Sequence, residues 1–384
     1  MCEQTSAPFL PPAQLRRLTR ALDTPFYLYD EKSLLANAQA LFTSFSWNPG
    51  FREYMPLRRC KNPALLRLLR GAGCGALCTD LAQLQLAEAC GFSGEQLLYA
   101  PLRRHDAAGA LAFRLDATWV LDGVYVLPPL PPERVILRWN PGGKLRADGR
   151  TLANFDRIKS GMREQELLDM VCRFAAQNTS IGLMLSACGN CLDPGYYPAV
   201  AEALFTMAVK IREQSGVMIS SCNLSGGFGV SSRPGYASPE LKTAAENIHA
   251  LFDAVLVPAG LGEVQLQTAL DRYLLCSAGV LVTSVMALRE REMPTCIVDA
   301  VFEQSALSGS YHPISALACR PKSEPGLFCV VGCQDVLRGG LGEGCVLPQL
   351  RPGDRLLVHM VGFDEIPGDT PVYLLRATGA LEPV

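Results

Sequence analysis

The sequence predicts an α/β protein with a second, β-rich domain, and three observations carry that reading. The stretch Glu53 to Arg70, EYMPLRRCKNPALLRLLR, reads as a strand, a tight loop and a helix, the unit of a barrel or a parallel sheet. The chain has 384 residues, long enough for a (β/α)8 barrel of about 250 residues with another domain beside it. Beyond Val280 it breaks into short strands and turns, the pattern of a β-domain.

The elements follow from local chemistry. Asn62-Pro63 marks the break in the central stretch, because a residue before proline is pushed out of the α region. Ala64, Leu65, Leu66, Leu68 and Leu69 then fall at helical spacing. Upstream, Gln14 to Leu22 is amphipathic, Pro25 to Asp30 (PFYLYD) is a strand, and Ser33 to Phe45 is a helix with Leu34, Leu35, Ala38 and Leu41 on one face. Downstream, Gly75 to Asp80 is a strand and Leu81 to Ala89 a helix closed by Gly91. Gln96 to Ala100 is a strand, Arg103-Arg104-His105 a loop, and Asp122 to Pro132 (DGVYVLPPLPP) a proline-rich connection. Arg134 to Gly142 is a strand and turn, and Glu164 to Gln177 an amphipathic helix.

Composition narrows the function. A net charge of −2 with scattered arginines gives no reason to expect a nucleic-acid partner. No apolar run is long enough for a membrane span, and MCEQTSAPFLPPAQ lacks the regions of a signal peptide, so a cytoplasmic protein is expected. Fifteen cysteines in a chain of this size are expected to be mostly reduced, buried small apolar residues, and the odd number leaves at least one free or paired between chains.

Thr24 to Asp30, the Glu53 to Arg70 stretch and Gly73 to Phe92 together resemble the start of the fold-type III pyridoxal-phosphate decarboxylases: diaminopimelate, ornithine and siderophore-type amino-acid decarboxylases. The likeness runs from about residue 24 to 370, through RVILRWNPG, SIGLMLSACGNCLDPGYY, CNLSGGFGV and QLQTALDRYLLCSAGVLVTSV. It implies an alanine-racemase-like (β/α)8 TIM barrel over residues 25–270. A β-domain of residues 271–384, completed by residues 1–24, is implied with it.

The resemblance also assigns positions. Family members carry a pattern like FYAVKANPNPALL whose lysine forms the Schiff base, and a gapless register on Asn62 to Leu66 puts that lysine on Arg58. Three polar groups that help hold the cofactor fall on Leu77, Asp80 and Gln83, and two histidines on Met184 and Ser186, the second being the one that stacks on the ring. The acid that pairs with the pyridine nitrogen falls on Ala269, followed by Leu270 and Asp271. An Arg-Pro that binds the substrate carboxylate falls on Gln304-Ser305, and a cofactor-facing tyrosine on Asp364, or on Phe363 if the register slips by one. Retained are Gly226, Gly227 and Gly229 of the phosphate loop, with Ser225 in place of a further glycine. Arg272 is retained too, as is Cys333, the cysteine that a partner subunit lends to the family site.

Three functions are compatible with this pattern. The first is a pseudoenzyme without cofactor, acting as a partner or regulatory subunit or a ligand-binding protein. It would be a homodimer or a heterodimer with an active paralogue. The second is an active decarboxylase, a carbon-carbon lyase, holding pyridoxal 5′-phosphate on Lys61. Strand alternation puts 59 and 61 opposite 58 and 60, so only a bent loop would turn Lys61 inward. The third is a repurposed barrel in which Arg58 clamps a small-molecule carboxylate or phosphate while Cys60, Cys78, Cys188, Cys191 and Cys222 converge on the mouth. There Cys188 and Cys191 are an alternative soft-metal pair. Against it, Arg58 is expected to pair with Asp271 or Asp80 as a buried plug. His105 and His312 are expected to be surface or structural residues.

Overall fold

A computed structural model describes residues 12–233, 235–301, 312–317, 324–333, 341–363, 366 and 369–384. The chain divides into two compact units, one of residues 37–230 and 237–271, the other of residues 1–36, 231–236 and 272–384. It opens with α1 (Pro12–Thr19), β1 (Phe26–Asp30) and α2 (Glu31–Ser44), whose Leu34, Ala38 and Leu41 are buried.

The first unit is a barrel. Its parts are β2 (Arg52–Pro56), α3 (Pro63–Gly71), β3 (Gly75–Cys78), α4 (Leu81–Ala89), β4 (Leu97–Tyr99), α5 (Asp106–Arg114), β5 (Thr118–Leu121) and β6 (Arg134–Trp139). A hairpin of β7 (Lys144–Ala147) and β8 (Arg150–Asn154) follows, then α6 (Glu164–Ala175), β9 (Ser180–Leu185), α7 (Tyr196–Ser215), β10 (Ser221–Asn223), α8 (Leu241–Leu251) and β11 (Gln265–Thr268). Strands β2, β3, β4, β5, β6, β9, β10 and β11 are neighbours in that order, and β11 closes parallel on β2 through Gln267 beside Arg52 and Thr268 beside Glu53. Strands buried on both faces need near-continuous apolar runs, which TWVL and SIGLML supply. Between β5 and β6 the proline-rich stretch yields a short 3-10 turn at Val124–Val126 in place of an α-helix, because proline has no N–H to donate.

Tyr54 sets the inner face of the barrel. It packs with Leu98, Ala100, Val120, Ile136 and Met184, and Leu77 leans on the same cluster. Gly75 beside it is glycine for room, since a Cβ there would stand 2.6 Å from the Tyr54 ring. The Asn62 side chain accepts the N–H groups of Ala64 and Leu65 at 2.9 and 3.3 Å, a cap worth about 1 kcal/mol to α3.

The second unit adds α9 (Asp271–Leu275), β12 (Gly279–Arg289), β13 (Thr295–Val298), β14 (Ile314–Ala316), β15 (Gly326–Gly332), β16 (Gly342–Leu347), β17 (Arg355–His359), β18 (Val372–Leu375) and β19 (Leu381–Pro383). These strands and β1 form a nine-stranded sheet whose core includes Phe26, Leu28, Val280, Val282 and Leu357. β1 pairs antiparallel with β12 and parallel with β18, so residues up to Ala36 group here, where the sequence reading places residues from 25 onward with the barrel. Among the described residues no helix is long and apolar enough to cross a membrane.

Candidate functional site

The register position of the family lysine lies just past the end of β2. The Arg59 N–H bonds Pro56 O at 2.9 Å and closes a turn over residues 57–59, while the Leu57 N–H still reaches Leu77 O at 2.9 Å. Alternation from Tyr54 would point residue 58 along the barrel axis if the strand continued, but the turn leaves Arg58 exposed. The expected plug is therefore corrected. Asp271 lies 3.8 Å from Arg59, and Asp80 caps α4, accepting the Gln83 N–H at 2.9 Å and Gln83 Nε2 at 2.8 Å. The turn brings the second of two adjacent arginines within reach of Asp271. Both partners are partly exposed, which limits the pair to about 1 kcal/mol or less. Lys61 is exposed on the loop between β2 and α3.

Asp80 and Gln83, which stand at register positions of the family's cofactor-holding groups, form a capping arrangement, with Gln83 Oε1 accepting the Thr79 N–H at 2.9 Å. Met184 lies in the barrel core and Ser186 is half-buried just past β9. Ala269 is buried, and its N–H bonds Ser225 O at 3.0 Å.

The glycine loop is held by the chain itself. Ser225 takes φ 58°, with its N–H on Asn223 Oδ1 at 2.8 Å and its carbonyl accepting the Tyr197 hydroxyl at 2.6 Å. A Cβ on Gly227 (φ 97°) would stand 2.5 Å from Cys188 O, and one on Gly229 2.2 Å from Cys191 O. Cys191 bonds its N–H to Gly227 O at 2.8 Å, and Asn190 bonds both N–H and C=O of Val230. The Cys188 to Cys191 loop thus lies directly on Gly226 to Gly229, and close backbone approach explains two of the glycines without any ligand.

The cysteines do not converge. Leu77 faces the barrel interior, so Cys78 beside it faces outward, and Ser221 lines a cavity with Tyr54, so Cys222 faces outward too. Cys60, Cys78 and Cys222 are buried, and burial raises all three thiols, Cys60 and Cys222 to about 12. Cys188 and Cys191 remain half-buried, the Cys188 thiol donating to Leu152 O at 3.4 Å. Among the described residues no three metal-ligating side chains gather.

The remaining positions belong to the second unit. The Arg272 guanidinium lies 3.7 Å from the centre of the Phe363 ring, a cation–π contact. The Cys333 thiol donates to Asp299 O at 3.5 Å. Buried His312 has Nδ1 3.1 Å from His359 O, while His105, in the barrel unit, caps α5 by accepting the Ala108 N–H at 3.3 Å. Gln304, Ser305 and Asp364 lie outside the described residues.

Two features escaped the sequence reading. Glu53 is fully buried beside β11, its carboxyl accepting the Thr268 hydroxyl at 2.5 Å and the Leu270 N–H at 2.6 Å; burial pushes it up to about 8. An acid inside a strand of otherwise apolar character was the available sign. A cavity of about 410 Å³ also opens at the N-terminal end of the barrel, lined by Arg52, Glu95, Arg134, Ser221 and Gln267. Only the closed barrel brings those five residues together.

The fold matches that of solved decarboxylases. Diaminopimelate decarboxylase from M. jannaschii, in co-complex with L-lysine, matches with TM-score 0.82 at 16% identity, over 96% of this chain and 91% of its own. The Helicobacter pylori enzyme, complexed with L-lysine, matches with TM-score 0.79 at 19% identity, over 96% and 95%. The barrel with its β-unit is the decarboxylase fold.

Among sequences, the diaminopimelate decarboxylase of Deinococcus radiodurans is 28% identical over 357 residues, 91% of this chain and 87% of its own. That of Methanothermobacter thermautotrophicus is 27% identical over 355 residues, 88% and 82%. Protein TabA of Pseudomonas amygdali pv. tabaci is 24% identical over 356 residues, 91% and 83%. Over most of its length the chain is thus similar to fold-type III pyridoxal-phosphate-dependent decarboxylases, in sequence and in fold. No family model matches it.

Proposed function

We propose that this diaminopimelate decarboxylase-like protein has lost imine chemistry and serves as a non-catalytic partner or regulatory subunit in amino-acid-derived metabolite biosynthesis. Arg58 carries the reading. It occupies the lysine's register, it is exposed within a turn, and a guanidinium stays protonated and is a very poor nucleophile. Ala269 offers no acid to a pyridine nitrogen, and the spaces above Gly227 and Gly229 are taken by the carbonyls of Cys188 and Cys191. These residues do not fit pyridoxal phosphate held as an imine in the family manner. A homodimer, or a heterodimer with an active paralogue, is the form in which such a subunit still contributes, through Cys333 by the resemblance.

The second reading is an active decarboxylase using Lys61, favoured by the decarboxylase names of its relatives and by the turn at 57–59, which bends the loop carrying Lys61. Purified protein mixed with pyridoxal 5′-phosphate separates the two. The silent reading expects no absorbance band near about 420 nm and no pyridoxyl adduct after borohydride. A stoichiometric adduct mapped to Lys61 establishes the second.

A further inference from the structure

We propose that the cavity at the N-terminal end of the barrel binds a small organic carboxylate, held by Arg52 and Gln267. It lies at the other end of the barrel from Arg58 and the glycine loop, so the inference goes beyond the function proposed above and does not depend on it. The interior of such a barrel is ordinarily filled by layers of bulky side chains. Here three adjacent strands leave it open. Gly182 on β9 has no side chain, and a Cβ there would stand 2.2 Å from Ser221 Oγ. Ser221, its register partner on β10, is small, and Gln267 on β11 is bonded sideways to Asn223. About 410 Å³ remains, the size of a small-molecule site, with Ile136 and Val264 on its wall.

The polar groups are oriented by the chain itself. Asn223 Oδ1 accepts the Ser225 N–H at 2.8 Å, so the Asn223 amide nitrogen is the end that donates to Gln267 Oε1, at 3.1 Å. That leaves Gln267 Nε2 as a donor for the cavity. Gln267 and Ser221 are each 6% exposed and both line it, and neither Gln267 Nε2 nor Ser221 Oγ has a hydrogen-bond partner among the described residues. Buried donors left in that state favour a ligand that accepts from them. Arg52 is the register neighbour of Gln267 where β11 closes on β2, and alternation from Tyr54 turns it to the same interior. One of its N–H groups meets Glu95 Oε2 at 2.5 Å, and the rest are open.

The charge of the ligand follows from depth. The Arg52 and Arg134 side chains are 26% and 21% exposed, whereas Glu95 is 51% exposed and Glu263 stands in solvent. Water and salt screen the acids more than the arginines, which leaves the interior positive. Arg134 is already engaged by Asp116, Glu133 and Thr118, so Arg52 is the cation with donors to offer. A carboxylate lodged between Arg52 and Gln267 takes charge-assisted bonds from the first and an amide N–H from the second. Ser221 offers a hydroxyl to a further oxygen of the same molecule.

The test is calorimetric titration of the full chain with succinate and with L-malate at constant ionic strength. The expected result is saturable binding, weakened at least about tenfold by Arg52→Gln. Gln267→Glu should weaken it as much, because the new carboxylate keeps the acceptor that Asn223 uses while repelling the ligand. Arg58→Gln, at the other end of the barrel, should change the affinity by less than about twofold. Should either cavity variant misfold, wild-type crystals soaked in succinate decide: density bridging Arg52 and Gln267 supports the proposal, and a cavity holding water only overturns it. No saturable binding of either acid at about 10 mM, loss of binding in Arg58→Gln, or displacement of succinate by an equal concentration of inorganic phosphate also overturns it.

Discussion

A carboxyl sealed between β2 and β11 has consequences a surface acid lacks. Glu53 is raised to about 8 by burial, while the same group titrates near about 4.3 in the unfolded chain. Between those values the folded chain holds the extra proton. Stability therefore falls as pH rises through that window, by up to about 1.4 kcal/mol per unit, and levels off above about 8. His359 works in the other direction: burial lowers it to about 4, so its contribution is lost as pH falls from about 6.5 through that value. The two separate between about pH 6.5 and 8, where only Glu53 titrates of the pair. Urea unfolding across that interval should show wild-type stability declining and Glu53→Gln nearly flat, since the amide keeps an acceptor for the Leu270 N–H. An equal slope in both proteins assigns the dependence to other groups. The acid itself was visible in EYMPL; its burial was not, because the strand that supplies Thr268 lies more than two hundred residues away.

At the scale of elements, the loop from Gly226 to Gly229 shows how glycines noticed for one reason have a further cause in the fold. Its glycines were legible as a phosphate cradle by resemblance, yet the structure sets the Cys188 to Cys191 backbone on them, and no local pattern says which loop will lie across another. Gly227→Ala should destabilise the barrel unit by at least about 2 kcal/mol, because it combines a positive φ with a carbonyl 2.5 Å from the new carbon. Gly189→Ala, with nothing nearby, should stay within about 0.5 kcal/mol. Thermal unfolding of the two variants beside wild type checks the contrast, and equal losses would mean the contact is not what requires the glycine. Asp80 and Gln83 teach the same lesson. Their spacing is a capping pattern on its face, and comparing them only with the family's register obscured the local role that the α4 N-terminus gives them.

At the scale of the whole molecule, the barrel was legible because each strand–turn–helix unit announces itself, through Asn62-Pro63, the 81–89 helix and the 134–139 strand. β1 was misplaced because strand pairing is not local, and only β12 and β18 reveal its sheet. The resemblance names positions but not their geometry, and under the proposed silent function the geometry decides whether one reversal suffices. Arg58→Lys restores an amine without restoring its direction, since the 57–59 turn holds residue 58 exposed, Ala269 still supplies no acid, and Asp271 still adds negative charge beside Arg59. Arg58→Lys alone is therefore expected to give no stoichiometric pyridoxyl adduct at residue 58 after borohydride, and no decarboxylation of diaminopimelate, lysine or ornithine. Adding Ala269→Glu and Asp271→Gly should raise adduct formation by at least about tenfold over the single variant, if the loss is distributed over the mouth. A single Arg58→Lys change that yields a full imine band and turnover would mean the pocket was intact throughout and waited only for its lysine.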